Sequence, residues 1–236
     1  MSALHTLSHR PSARLMAALA LCLAPAAQAA AQSFTGQFAA DDDLAIFAVD
    51  LPVDGSISAR TWSYSGGVNA AGTPVAADGF APVLTLFGPD GFAFHGNVGS
   101  HNTCAGVGSA CWDAQFSAGL QAGHYLLVLS QDDNHADTTI PITAGTATGA
   151  FGRAGQPHYT AQYLGSGANG TERFVQADMT LRSGNWTLDI DVAGTVTQVP
   201  EPGTWLLWLA GLAALGAGAT GRPRQRPAAA SAPGAD

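Results

Sequence analysis

The sequence predicts an all-β fold, an antiparallel β-sandwich with jelly-roll-like connections, flanked by an N-terminal signal peptide and a C-terminal single transmembrane helix. Three observations carry this. Apolar residues in the central part recur with a period of two, in short runs. Gly, Pro, Asp and Asn punctuate those runs, as in "PVDGS", "GPDGF", "QAGH" and "RSGN". Between the N-terminal apolar stretch and Val199, no window of a dozen residues has an amphipathic helical period.

Nine runs read as strands: SFTGQF (33–38), LAIFAVDL (44–51), SISARTWSY (56–64), APVLTLF (81–87), FAFHGN (92–97), DAQFSAGL (113–120), HYLLVLS (124–130), RFVQADMTL (173–181) and NWTLDIDV (185–192). Short strands joined by tight turns are the pattern of a two-sheet antiparallel sandwich. In "GPDG", Pro89 fixes φ and Gly91 is free to take a positive one, which makes the segment a turn. Residues 65–79 read as a long loop. Residues 132–172 form a longer Gly/Thr/Ala-rich stretch, in which 138–143 and 158–164 are candidates for weak strands.

Both ends of the chain read as targeting. Residues 1–31 carry Arg10 and Arg14, an apolar run over 15–24 and small residues around Ala29, the pattern that signal peptidase cleaves. Cys22 follows the bulky Leu21, which argues against lipidation there. The remaining 32–198 is one domain's worth of chain. It holds four arginines (Arg60, Arg153, Arg173, Arg182) against fifteen acidic residues, and the whole sequence has no lysine. That excludes nucleic acid as a partner, since phosphate binding needs clustered cations. Cys104 and Cys111 are the two cysteines left in the domain, and in an exported chain they read as a disulfide closing a small loop.

The runs "DDDLAIFAVDLPVDGSISARTWSY", "APVLTLFGPDGFAF" and "AGLQAGHYLLVLSQDDN" resemble the bacterial pre-peptidase C-terminal type of β-sandwich. Leu84, Leu86 and Gly91 match that pattern's middle element, and Gly123 with Tyr125 its last. The resemblance covers about 34–132 and 174–191. It implies a fold rather than an activity.

Two acidic groups stand at strand ends, Asp41, Asp42 and Asp43 in one and Asp132, Asp133 and Asn134 in the other. They read as solvated turn residues. The alternative is calcium, whose preferred ligands are such oxygens, with Asp41, Asp43, Asp132, Asp133 and Asn134 as the candidate set. No other cofactor is implied. The five histidines of the domain are scattered, Glu172 is its single glutamate and there is no G-x-S-x-G elbow, so no enzyme is expected. Trp62, Tyr64, Trp112, Tyr125, Tyr159, Tyr163 and Trp186 are either packing residues or platforms for sugar stacking.

The tail is the most specific signal. Val199, Pro200, Glu201 and Pro202 precede an uncharged apolar stretch, 205–219, and then Arg222, Arg224 and Arg226. Fifteen residues of helix rise roughly 22 Å, a marginal span for a hydrocarbon core of about 30 Å. The arginines would stop it on the cytoplasmic side of the inner membrane. The order of these three parts closely resembles the PEP-CTERM sorting signal that exosortase recognises. The prolines keep the motif extended and open to a protease.

That resemblance implies transient anchoring, cleavage near 200–202, and delivery to the cell surface or outside, where exopolysaccharide and biofilm matrix are found. The division expected is thus 1–31 signal peptide, 32–198 β-sandwich ectodomain, 199–227 sorting signal and 228–236 tail. A structural or adhesive role is expected first, and a glycan- or calcium-binding accessory module second. A hydrolase or an ice-binding protein ranks lower, because "TTIPITAGTATG" is neither long nor repeated.

Overall fold

A computed structural model describes residues 31–99, 111–165 and 170–200 of the 236-residue chain. The expected signal peptide, the apolar part of the tail with its arginines, and Cys104 lie outside these residues. Among the described residues no helix is long and apolar enough to cross a membrane.

Among the described residues eleven strands form: β1 (Gln32–Gln37), β2 (Ala45–Leu51), β3 (Gly55–Thr61), β4 (Gly67–Val68), β5 (Pro74–Val75), β6 (Pro82–Phe87), β7 (Ala93–Gly99), β8 (Gln115–Leu120), β9 (Gly123–Gln131), β10 (Asn185–Val192) and β11 (Thr195–Val199). One sheet has the order β1-β10-β3-β8, the other β11-β2-β9-β6-β7, and β4 with β5 makes a small separate ribbon. Every ladder is antiparallel. The chain changes sheet at most connections, the interleaving of a jelly roll.

The alternation in the sequence explains the core. Ile57 and Ala59 of β3, Phe116 and Leu120 of β8, and Trp186, Leu188 and Ile190 of β10 point inward from one sheet. They meet Phe47, Val49, Leu51, Leu84, Leu86, Leu127 and Leu129 of the other in a single cluster. Phe47 is the central ring: its centroid lies 4.9 Å from that of Phe34 and 6.0 Å, edge-on, from that of Trp186. The Trp186 indole in turn lies over Gly36, its cross-strand neighbour, where any Cβ would overlap the ring.

Strand β6, by contrast, is buried along its whole length. Residues 132–164 fold back over the outer face of its sheet, where Ala136, Ile142, Ala147, Ala150 and Phe151 pack with Leu44, Ile46, Phe87 and Val128. A continuous apolar run such as "APVLTLF" fits a strand covered on both faces.

The registers give the sandwich two unlike ends. Four short connections, around residues 52–54, 88–92, 121–122 and 193–194, make one a turn end. The GPDG turn is there, with Gly91 at φ 82° and its N–H donating to Gly88 O. The opposite, loop end carries 38–44, 62–81, the long 132–184 segment and the exit of the chain at Pro200.

Eight of the nine expected strands form within three residues of the expected bounds. The ninth, 173–181, does not form. Val175 and Leu181 make one isolated bridge around a tight turn, Gln176 N–H donating to Thr180 O, with Phe174 and Met179 at positive φ. The reason lies in its donors: Phe174 N–H is taken by Asp41 and Val175 N–H by the Thr160 hydroxyl, so neither is available to a ladder. Residues 159–164 form a 3-10 helix rather than a strand, and 138–143 is irregular. Strand β11 was not anticipated and extends to Val199, one residue past the expected end of the ectodomain.

Candidate functional site

The structure brings the two acidic groups together at the loop end: Asn134 Nδ2 lies 3.5 Å from Asp42 O, and both groups are pinned by the 3-10 helix Tyr159–Leu164. Asp41 is fully buried. Its Oδ2 accepts from Thr160 N–H at 2.9 Å and from Thr160 Oγ1 at 2.6 Å, and its Oδ1 from Phe174 N–H at 2.7 Å. Burial pushes its carboxyl above the usual range, against the pull of these donors.

Asp43 accepts from the N–H groups of Ala39 and Ala40 at 2.6 and 2.8 Å. Asp133 is gripped by Arg153 at 2.6 Å and by the Tyr163 hydroxyl at 3.2 Å. Burial and that carboxylate push the Tyr163 phenol up to about 12. Asp132 faces His135 at 3.6 Å, and hydrogen bonding to it raises the imidazole above its ordinary value. Asn134 is buried and accepts from Arg153 N–H.

The candidate calcium ligands are therefore neighbours, and their oxygens face protein donors. Among the described residues no group of three or more His, Cys, Asp or Glu is placed to hold a metal ion. A calcium ion here would have to displace Arg153 from Asp133 and two backbone donors from Asp43. Millimolar calcium is accordingly expected to leave the melting temperature unchanged. A rise that disappears in Asp132→Ala would overturn this.

Two further buried carboxylates, not singled out from the sequence, do similar work at the same end. Asp113 accepts from Thr61 Oγ1 at 3.1 Å, from the N–H groups of Tyr64 and Ser65 at 3.0 Å each, and from the Ser65 hydroxyl. Asp189 accepts from Ser33 Oγ at 2.5 Å, Trp62 Nε1 at 2.6 Å and Ala70 N–H at 2.8 Å. Each fixes loop backbone to a strand. The signal in sequence was faint: Asp189 is an acidic residue amid the apolar positions of "WTLDIDV". Cys111 is buried beside this network, its Sγ 3.0 Å from Ser65 Oγ. Its expected partner lies outside the described residues.

The aromatic candidates are mostly committed to packing. Tyr125, Tyr159 and Trp186 are buried. Arg60 lies over Trp62 at 3.7 Å and Arg182 over Tyr64 at 3.8 Å, while Trp112 meets Tyr64 edge-on at 6.4 Å. Tyr163 holds Asp133. The exposed rings are instead Phe92 and Phe94, at the start of β7. Strand alternation alone gave no sign of them, because an edge strand leaves a ring exposed only where nothing packs beside it.

The tail leaves the loop end directly from the sheet. Thr195 to Val199 pair with Asp50 to Ile46, so Gln198 and Val199 are still strand residues, and Pro200 follows at once. Val199 packs against the outer cluster of its sheet. Residues 198–225 match the family model of the PEP-CTERM protein-sorting motif. No curated protein is significantly similar to the chain. The match covers the tail, and the ectodomain's likeness to the pre-peptidase type rests on its sequence pattern alone.

With the expected Pro-Glu-Pro motif inside the matched residues, the signal implies export, membrane-anchored transit toward the cell surface, and exosortase as the processing partner. The chain thus carries, at 198–225 and flush against an all-β domain, the PEP-CTERM sorting signal of an exosortase-sorted exported protein.

Proposed function

We propose that the sandwich is the delivered cargo, and that it works outside the cell as a non-catalytic structural or adhesive component of the surface or its exopolysaccharide matrix. The observation that carries this reading is the continuity of sorting motif and fold. The matched segment begins within β11, so the signal is attached to this domain with no intervening module.

The chemistry of the loop end supports the non-catalytic part. Asp41, Asp113 and Asp189 each accept several hydrogen bonds from loop donors, the arrangement of carboxylates that fix structure. A Cys104–Cys111 disulfide belongs to the same reading, since it would close the remaining loop in an oxidising compartment.

Trp205 follows Val199 by six residue steps, a reach of at most about 22 Å. Before processing, the loop end would then face the membrane and the turn end would point away from it. Mass spectrometry of the mature C-terminus, in cells with and without exosortase, tests the sorting arm. A new terminus near 200–202 is expected only where exosortase is present, and a terminus at Asp236 in both would overturn it. Fractionation tests the matrix arm: recovery with surface polysaccharide is expected, and recovery wholly in the free medium would overturn it.

A further inference from the structure

The turn end carries a cleft of about 970 Å³, and its lining differs from that of the loop end. It lies between the β2–β3, β6–β7 and β8–β9 turns. Phe92 and Phe94, 43% and 55% exposed, stand two positions apart where β7 begins, and both line it. The Phe94 ring is backed edge-on by Tyr125 at 6.5 Å, and Tyr125 is fixed by its hydroxyl donating to Gln121 O at 2.9 Å.

Two carboxylates share the cleft. Asp54 Oδ1 accepts from Ala122 N–H at 2.8 Å, and Asp90 Oδ1 from Phe92 N–H at 3.1 Å. In each, one oxygen is spent on fixing a turn and the side chain is held in place, while the other oxygen has no donor among the described residues. Among the described residues no arginine or histidine lines the cleft.

We propose that this cleft binds a neutral polysaccharide chain, its pyranose faces stacking on Phe92 and Phe94 and its hydroxyls donating to Asp54 and Asp90. The C–H face of a pyranose is a flat apolar surface that needs an exposed ring, and its vicinal hydroxyls need fixed acceptors. The site supplies both already positioned, which lowers the ordering cost of binding.

The described lining has no cationic side chain and the domain holds fifteen acidic residues, which disfavours uronate-rich, sulfated or phosphorylated polymers by charge. A basic peptide is disfavoured differently. One oxygen of each carboxylate is taken by its backbone donor, and the rings are open rather than enclosed, so neither makes a pocket for a lysine or arginine head.

This deepens the matrix reading by naming its ligand and the surface that takes it. The cleft lies at the end away from the tail, so it would be free both before and after processing. It makes no use of the sorting step, so sorting can fail while binding stands.

The test uses the exported protein purified from a producing host. Titration calorimetry is run against cellohexaose, mannohexaose and xylohexaose, with hexagalacturonate and hexalysine as the charged comparisons. Saturable binding of a neutral hexasaccharide is expected. It should weaken roughly tenfold or more in Phe94→Ala and in Asp90→Asn, at unchanged melting temperature. Three results would each overturn the proposal: no binding of any neutral chain, binding indifferent to both substitutions, or tighter binding of hexagalacturonate or hexalysine. Should Phe94→Ala melt early, Asp54→Asn replaces it, since the amide oxygen can still accept from Ala122 N–H.

Discussion

Asp41→Ala is expected to destabilise the domain by about 3 kcal/mol or more, because it strands three buried donors at once. The Thr160 N–H, the Thr160 hydroxyl and the Phe174 N–H all converge on this one carboxylate, which is inaccessible to solvent. Water cannot replace it without opening the loop end. For a domain of this size that is a loss of roughly 6–12 °C in melting temperature, readable by circular dichroism.

Proteolysis should show the local character of the defect, with early cleavage between Pro157 and Gln176 while the sheets still resist. Asp41→Asn removes one of the two acceptor oxygens and should fall between wild type and alanine. A variant melting within 2 °C of wild type would overturn this account of the loop end.

The pH dependence follows from the same carboxyl. Its folded-state pKa is raised, chiefly by burial, so folded protein holds this proton more tightly than unfolded chain does. Its contribution is fully present below the unfolded value and is lost as pH rises through the folded one. Wild type should therefore gain on Asp41→Asn as pH is lowered through that window. A difference between the two that is flat with pH would contradict it.

Phe47→Ala should cost a similar or larger amount, about 3–5 kcal/mol, by a different route. Phe47 is fully buried on β2 and touches Phe34 and Trp186, which belong to the facing sheet. Its removal leaves a cavity where the two sheets meet. The indole cannot move to fill it readily, being held against the backbone of Gly36. Unlike the Asp41 variants, this one should loosen the whole domain, with hydrogen exchange accelerated across β2, β9 and β10 together. Protection lost at the loop end alone would mean that Phe47 is not the joint between the sheets.

These two residues also mark what could be read in advance. Phe47 lies in "LAIFAVDL", where alternation and turn residues specify a strand with an inward ring; the period of two is a local property of the chain. The same holds for β10, whose ends fall where "NWTLDIDV" places them. Asp41 was legible only as an acidic residue near a strand, with solvent or calcium as its destinations. Its actual partners come from residues 160 and 174, more than a hundred positions away, and no local pattern reports such a contact.

Residues 173–181 fail for the matching reason. Their composition is that of a strand, but a ladder needs free backbone donors, and two of them are claimed by the side chains that close the loop end. Phe92 and Phe94 are the converse: inward-looking by composition, and left exposed by their place at a sheet edge.

The sequence by itself determined the β class, eight of the strands and the sorting signal, because each is written in neighbouring residues: a period, a turn, a short ordered motif. The tertiary structure alone decided which carboxylates are buried, which aromatic rings stay open, and that the sorting motif starts inside the last strand. Those depend on which distant segments share a face, and that is settled when the two sheets close and the long loop has chosen its side.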